Sequence, residues 1–249
     1  MNAVGKLNRL TELMSVSGAL RSALTWTKFS LAAYLLLTRL KDAGVKPATV
    51  LDIGANVGQF SVAVSHLLPD AALYPVEPDA STAARLRANL PPHAAANIVV
   101  AAVGERVGTV EFQVNADSQV SSILHLGSGR KAAFPQSQVQ RTVSVPMATL
   151  DHLFDGKPLA LPILLKVDVQ GYEDRVIAGA SAMLKKVRWV VLEMSFASLY
   201  EGEKDFNAML ELMREAGFRF VRPLDFHTAD ETSAIIEMDG LFENMSLSV

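Results

Sequence analysis

The residues of this chain best suited to chemistry lie in Val50-Leu-Asp-Ile-Gly-Ala-Asn-Val-Gly-Gln-Phe60 and in Val76-Glu-Pro-Asp79, which follows it. The apolar run from Thr49 to Ile53 reads as a buried strand, Gly54 to Gly58 as a tight turn, and Gln59 to Leu68 as the first crossover helix. Gly54 and Gly58 carry no Cβ, so a ligand can lie against the backbone there. Glu77 ends the next apolar run, where a carboxylate can accept hydrogen bonds from both hydroxyls of a ribose. The two halves together describe a site for an adenosine cofactor.

Which cofactor follows from what is missing. The dinucleotide fingerprint needs a second glycine where the backbone meets the pyrophosphate, and this chain has Asn56 there. No Gly-Lys-Ser/Thr follows the turn, which excludes a Walker-type phosphate loop. Asp52, just before the turn, would repel phosphate but could hold the ammonium of a methionine moiety. S-adenosylmethionine therefore fits better than NAD, and an NAD-binding oxidoreductase is the rival. On this reading Asp52, Gly54, Asn56 and Gly58 surround the methionine part, Glu77 holds the ribose, Pro78 and Asp79 meet the adenine edge, and Ala102 and Val103 face its ring.

Methyl transfer from a sulfonium is an in-line displacement, and an alcohol acceptor must also lose a proton. Asp168 and Glu193, at the carboxyl ends of two neighbouring strands, form the best pair for that task. One could act as the base, or both could bind a divalent cation such as Mg2+ with two substrate oxygens. Lys166 stands two residues before Asp168 and so points to the same face. It is expected to orient the carboxylates, and would be a base only if burial strongly lowered its pKa. Glu173 is expected to cap a helix. Ser121, Ser122 and His125, in a polar stretch from Ala116 to Gln140 that reads as a substrate lid, are candidate acceptor contacts, as is His227 in the last hairpin loop. His66, His93 and His152 lack companions, and no serine has a nucleophile-elbow context, so a hydrolase is not supported.

These residues need a sheet to position them. Strands are expected at Thr49–Ile53, Leu73–Glu77, Ile98–Val103, Ile163–Asp168, Trp189–Met194, Phe218–Pro223 and Ser233–Met238, with helices at Ala80–Leu90, Arg175–Lys186 and Phe206–Ala216 between them. The last two strands have no crossover helix and should pair antiparallel. Gly108–Asn115 and Arg141–Val145 read as an inserted strand pair. The chain divides into an N-terminal helical extension, 1–47, and a domain, 48–249, carrying an insertion at 108–147. The helix expected over Leu20–Lys41 contains the most apolar run, Phe29 to Leu37, which is too short to span a bilayer and lies far from Met1, so neither a membrane span nor a signal peptide is expected. Its roles are a cap on the sheet, a dimer face or a peripheral membrane contact, and the location is expected to be cytoplasmic.

The 249 residues are 50% hydrophobic with a formal net charge of −3, enough for a large core and without the basic footprint of a nucleic-acid binder. The chain has no cysteine, which excludes disulfides and thiolate chemistry.

Asp-Ile-Gly-Ala-Asn-Val-Gly (52–58), Val-Glu-Pro-Asp (76–79), Ala-Ala-Val-Gly (101–104), Ser-Ser-Ile (121–123), Thr-Leu-Asp (149–151) and Leu-Lys-Val-Asp-Val-Gln-Gly-Tyr-Glu (165–173) resemble the FkbM-type S-adenosylmethionine-dependent methyltransferases. The resemblance spans roughly residues 48 to 222. It implies an α/β class I methyltransferase (Rossmann-like) fold, a seven-stranded mostly parallel sheet with an antiparallel terminal hairpin, and transfer to a hydroxyl of a small molecule or glycan. The family pattern usually has Glu where this chain has Gln170. If that acid is catalytic in relatives, a methyltransferase-like binding protein without turnover is a further alternative.

Overall fold

The computed structural model describes residues 30–127, 138–228 and 234–247. Residues 1–29 lie outside it, so of the expected helix over Leu20–Lys41 only the part from Leu31 is described. Helix α1, Leu31–Asp42, starts at Ser30, whose hydroxyl accepts from the Ala33 amide. Its Tyr34, Leu36, Leu37 and Leu40 are buried in the same core as Val50 of the sheet. This is the packing of a cap, and it uses the apolar face of the described part. Among the described residues no helix is long and apolar enough to cross a membrane.

Strand β1, Thr49–Ile53, is buried along its whole length and leads through the glycine turn into α2, Gln59–Leu67. Strand β2, Ala72–Val76, is followed by α3, Ala80–Asn89, capped by Asp79, and α4, Pro92–Ala95, which begins at the Pro-Pro pair. Next come β3, Ala102–Val103, β4, Gly108–Asn115, a 3-10 turn at Ser118–Val120, and β5, Val139–Ala148. The remainder is α5, Leu150–Leu153, β6, Ile163–Val167, α6, Glu173–Ala178, β7, Val187–Ser195, α7, Phe206–Glu215, β8, Phe218–Thr228, and β9, Ile235–Asn244.

The main sheet has six strands in the order β2-β1-β6-β7-β9-β8. The first four run parallel, and β9 is antiparallel to both β7 and β8. The architecture is thus α/β with a mixed sheet. The third strand expected at Ile98–Val103 is divided. Val99 forms one parallel bridge to Val76, after which Ala102 and Val103 pair with Met147 and Ala148 of β5. The inserted hairpin takes up these residues, so β3, β5 and β4 form a second sheet, and among the described residues the main sheet has six strands where seven were expected. The terminal hairpin forms as expected, but β9 runs to Asn244, well beyond Met238, and His227 lies in strand β8, not in a loop.

Helices cover both faces of the central strands, which is why those strands read as unbroken apolar runs. Val50, Leu164 and Val191 pack toward α1 and α2, whereas Leu51, Leu165 and Leu192 pack with Met209 and Met213 of α7. At roughly 1.5–3 kcal/mol for each buried aliphatic side chain, these two layers dominate the stability of the domain. The packing leaves little room at one glycine. A Cβ at Gly179 would stand 2.1 Å from the Gly104 carbonyl oxygen, whereas one at Gly217, with φ +89°, would meet open space. Gly179→Ala should therefore cost about 3 kcal/mol or more, because backbone has to move, and Gly217→Ala about 1 kcal/mol, for the left-handed conformation alone. Urea unfolding of both variants checks the difference.

Candidate functional site

The carboxyl ends of β1, β2, β6 and β7 open into a cleft of about 350 Å³. This is where ligands collect in open α/β sheets. Its two ends differ in chemistry.

At one end the backbone of the glycine turn is held tightly. Gly54, at φ +82°, lies so close to β6 that a Cβ would stand 1.8 Å from the Asp168 carbonyl oxygen. Asn56 also has positive φ, 49°, a conformation that Asn tolerates better than most residues. Its amide donates to Glu77 Oε2 at 2.9 Å, and the Asp79 amide donates to Oε1 at 3.1 Å. Two backbone donors therefore fix the Glu77 carboxylate at the lip of the cleft, each oxygen keeping a lone pair for a hydroxyl. Burial pushes Glu77 up to about 7, against the lowering effect of those two hydrogen bonds.

Asp52 is fully buried; Ser61 donates to its Oδ2 at 2.5 Å, while its Oδ1 has no partner in the protein. Asn56 Oδ1 is likewise buried and unpartnered. Both residues line the cleft. Two unsatisfied acceptors beside a carboxylate fixed for a diol fit the ammonium and ribose of S-adenosylmethionine. Pro78, Ala102 and Val103 also line this end. Gly58 and Asp79 do not: Gly58 packs under Leu86, and Asp79 caps α3 and pairs with Arg141 at 2.7 Å. The adenine-edge role expected for Asp79 gives way to capping, with only its amide reaching Glu77.

The other end holds the carboxylates. Lys166 Nζ donates to Asp168 Oδ2 at 2.8 Å and sits 5.4 Å from the Phe60 ring centre. Burial works to lower the Lys166 pKa, but the charges of Asp168, Asp52 and Asp239 overcome it and hold the ammonium above its ordinary value. Held as a cation against Asp168, Lys166 suits the orienting role. Burial raises Asp168, and Lys166 and the Gln170 amide more than reverse that, holding it below the usual carboxylate range. Glu193 moves the opposite way, well above that range, through burial and the neighbouring charges of Asp168, Glu237 and Asp239.

Gln170 occupies the space between the pair: its Nε2 donates to Asp168 Oδ1 at 2.9 Å and to Glu193 Oε2 at 2.7 Å. Among the described residues no group of three or more His, Asp or Glu side chains is arranged to hold a metal ion. The Mg2+ reading for Asp168 and Glu193 loses its support here, because an amide fills the gap a cation would bridge.

Of the acceptor candidates, Ser121 and His227 line the cleft. Ser122 is buried beneath it and donates to the Gln170 carbonyl at 2.6 Å. His125 lies outside it, with Nδ1 2.7 Å from Gln113 Nε2. Glu173 opens α6, and its carboxylate accepts from the Val169 amide at 2.9 Å; burial pushes it up to about 8. Of the lid stretch, residues 128–137 lie outside the described residues, and the described part contributes Asp117 to Ser121 and Ile123 to the cleft. Sequence reasoning missed Asp225, Glu237 and Asp239, which reach the cleft from β8 and β9, and Ser30, Ala32, Ala33 and Leu36, which reach it from α1. The period-2 spacing of Asp225 and His227, and of Glu237 and Asp239, was the available signal.

A glycine turn after the first strand, an acid after the second, and carboxylates at the ends of β6 and β7 around one cleft define an S-adenosylmethionine-dependent methyltransferase. Residues 52–220 match the methyltransferase FkbM domain, and the chain belongs to this family. It is 34% identical over 170 residues to the 2-O-methyltransferase NoeI of Sinorhizobium fredii (strain NBRC 101917 / NGR234), covering 66% of this chain and 70% of that protein. Among solved structures it is similar to the magnesium protoporphyrin IX methyltransferase of Synechocystis PCC 6803 with bound S-adenosylmethionine, at 11% identity and a TM-score of 0.46 over 86% of this chain and 77% of that one. It is also similar to a TehB-like S-adenosylmethionine-dependent methyltransferase of Corynebacterium glutamicum, at 14% identity and a TM-score of 0.44 over 98% and 100%.

Calorimetry with S-adenosylhomocysteine tests the Glu77 assignment. Glu77→Ala should weaken binding about tenfold or more, since a charged acceptor of two hydroxyls is lost. Below about pH 7 free Glu77 holds a proton that a ribose-binding carboxylate must release. Affinity of the unaltered protein should therefore climb as pH rises toward 7 and level off above it. Glu77→Gln should bind more weakly and lack the part of the slope centred near pH 7; an unchanged slope would reject the assignment.

Proposed function

We propose that the protein transfers a methyl group from S-adenosylmethionine to a hydroxyl of an uncharged, hydroxyl-rich small molecule or glycan. The observation carrying this reading is the composition of the acceptor end, where Glu193, Asp225, Glu237 and Asp239 face the cleft with Lys166 and His227 as the basic groups. Carboxylates accept hydrogen bonds from hydroxyls and repel carboxylate- or phosphate-bearing acceptors. The 2-O-methyl transfer named for NoeI agrees with a sugar or similar polyol.

When bound, S-adenosylmethionine supplies an electrophilic methyl on a sulfonium. The protein orients the attacking oxygen and receives its proton. Asp168, held ionised by Lys166 and Gln170, is the carboxylate assigned to accept that proton. Glu193, raised by its neighbours, can donate a hydrogen bond to a second substrate oxygen when protonated. Asp52 and Glu77 bind and orient at the opposite end, so the two groups of residues divide cofactor from acceptor. Membership of the FkbM family and the Asn56 position both weigh against the NAD-dependent alternative.

A panel of neutral methyl glycosides (glucoside, mannoside, fucoside) set beside glucuronide and sugar-phosphate counterparts tests the acceptor class, with S-adenosylhomocysteine formation as the signal. Turnover of a neutral glycoside at least about tenfold faster than of its anionic counterpart is expected; preference for the anions would reverse the reading. Asp168→Asn should lower kcat by roughly a hundredfold or more, with affinity for S-adenosylhomocysteine retained.

A further inference from the structure

Gln170 departs from the surrounding pattern in three ways. It is a non-glycine residue at positive φ, 59°, inside the strand-to-helix loop that carries Asp168. It is nine-tenths buried although its side chain ends in a polar amide. Both polar atoms of its side chain are used, and so is its carbonyl: the two hydrogens of Nε2 go to Asp168 and Glu193, Oε1 accepts from the Tyr200 hydroxyl at 2.6 Å, and the main-chain carbonyl accepts from Ser122. The carboxylates fix which way round the amide sits: ionised they only accept, so the nitrogen faces them and the oxygen turns to the Tyr200 hydroxyl. Tyr200 is itself fully buried, and a Cβ at the next residue, Gly171, would stand 2.9 Å from its Cβ. The amide is therefore clamped by packing on one side and directed at two carboxylates on the other.

Two half-buried carboxylates that face one another are held more readily with a hydrogen-bond donor between them. Lys166 reaches one oxygen of Asp168. The Gln170 amide contacts both carboxylates, and a protonated Glu193 can in addition donate to Asp168. A divalent cation bonding carboxylate oxygens at about 2.1–2.6 Å would use the same gap.

We propose that Gln170 is a positioning residue that bridges Asp168 and Glu193 in place of a divalent cation, so that the acceptor end is organised by an amide and works without a metal. The inference rests on the reading of this pair as the acceptor end. It deepens that reading by assigning what holds the pair together. Because an amide carries no net charge, it aligns the carboxylates without neutralising Asp168 as a cation would, and the carboxylate keeps its capacity to receive a proton. Gln170→Glu would leave three carboxylates converging on one gap, and Gln170→Ala would leave the gap open. Both substitutions should create cation binding that the unaltered protein lacks. A loss of packing alone cannot produce such a gain.

The test is a Mn2+ titration followed by the loss of the free-ion electron paramagnetic resonance signal, on the unaltered protein, Gln170→Glu and Gln170→Ala, with Asp168→Asn added to each variant as a control. Calorimetric binding of S-adenosylhomocysteine establishes that each variant is folded with its cofactor end intact, and the alanine variant serves if the glutamate one fails to fold. The expected result is Mn2+ affinity at least about tenfold above that of the unaltered protein in Gln170→Glu, a smaller gain in Gln170→Ala, and loss of both gains with Asp168→Asn. Mn2+ binding by the unaltered protein as tight as by Gln170→Glu, or no gain in either folded variant, would overturn the proposal. Because no acceptor is present, a failure of the glycoside panel and a failure here are read separately.

Discussion

The buried ammonium of Lys166 is the charge on which the site depends. It faces Asp52 across the β1–β6 register, touches Asp168 and feels Asp239, all inside a sheet whose neighbouring side chains are apolar. An isolated ammonium in such a place would lose its proton, and isolated carboxylates would gain theirs. Together they remain an ion cluster, and the Phe60 ring face adds to the stabilisation of the cation. Buried clusters of this kind contribute little net stability compared with an apolar core of the same shape, and breaking one from either side is costly. What the cluster supplies is a fixed arrangement: Asp168 held toward its ionised form, Glu193 toward its protonated form, and Lys166 held as a cation beside them.

The sheet was largely legible because strands covered on both faces must be apolar along their length, and helices between them must end at glycine or proline. β1 and β4 begin and end where the pattern placed them, and α3 stops one residue early at Asn89. The cofactor end was legible for a related reason: glycines at positive φ and an acid at a strand end are local signals. The divided third strand was not, because its pairing is decided by β5, more than thirty residues away, and no property of Ile98–Val103 reports that pairing. The acceptor end was the least legible. Asp168 and Glu193 could be chosen from strand ends, but the bridging role of Gln170 requires Tyr200 and Ser122, which the chain brings there only by folding. Ser61 was set aside as a nucleophile, and it serves Asp52 instead.

The walls of the cleft come from different parts of the chain. The turn, Glu77, Lys166, Asp168 and Glu193 fall inside the segment that matches the family, 52–220. Ser30 to Leu36 and Asp225 to Asp239 fall outside it and meet through Arg39, which donates to Asp225 at 2.9 Å and to the Leu224 carbonyl at 2.6 Å. The wall built by these two segments therefore lies outside the family match. A half-exposed ion pair is worth little by itself. Its importance is geometric, since it fixes helix α1 over the strand that carries His227.

The strand order sets a sequence of events during synthesis. β9 is made last, yet it lies between β7 and β8, so the sheet cannot be completed outward from β7 as the chain emerges. Until Ile235–Asn244 is available, β7 presents an unpaired edge and β8 has no neighbour on the sheet. The glycine turn, β1, β2 and β6 can assemble earlier, since their pairings involve only residues already present. The pairings that position the glycine turn are therefore complete within residues 49–167, whereas those that bring in Glu237 and Asp239 require the last strand, without which the β7 edge is unpaired.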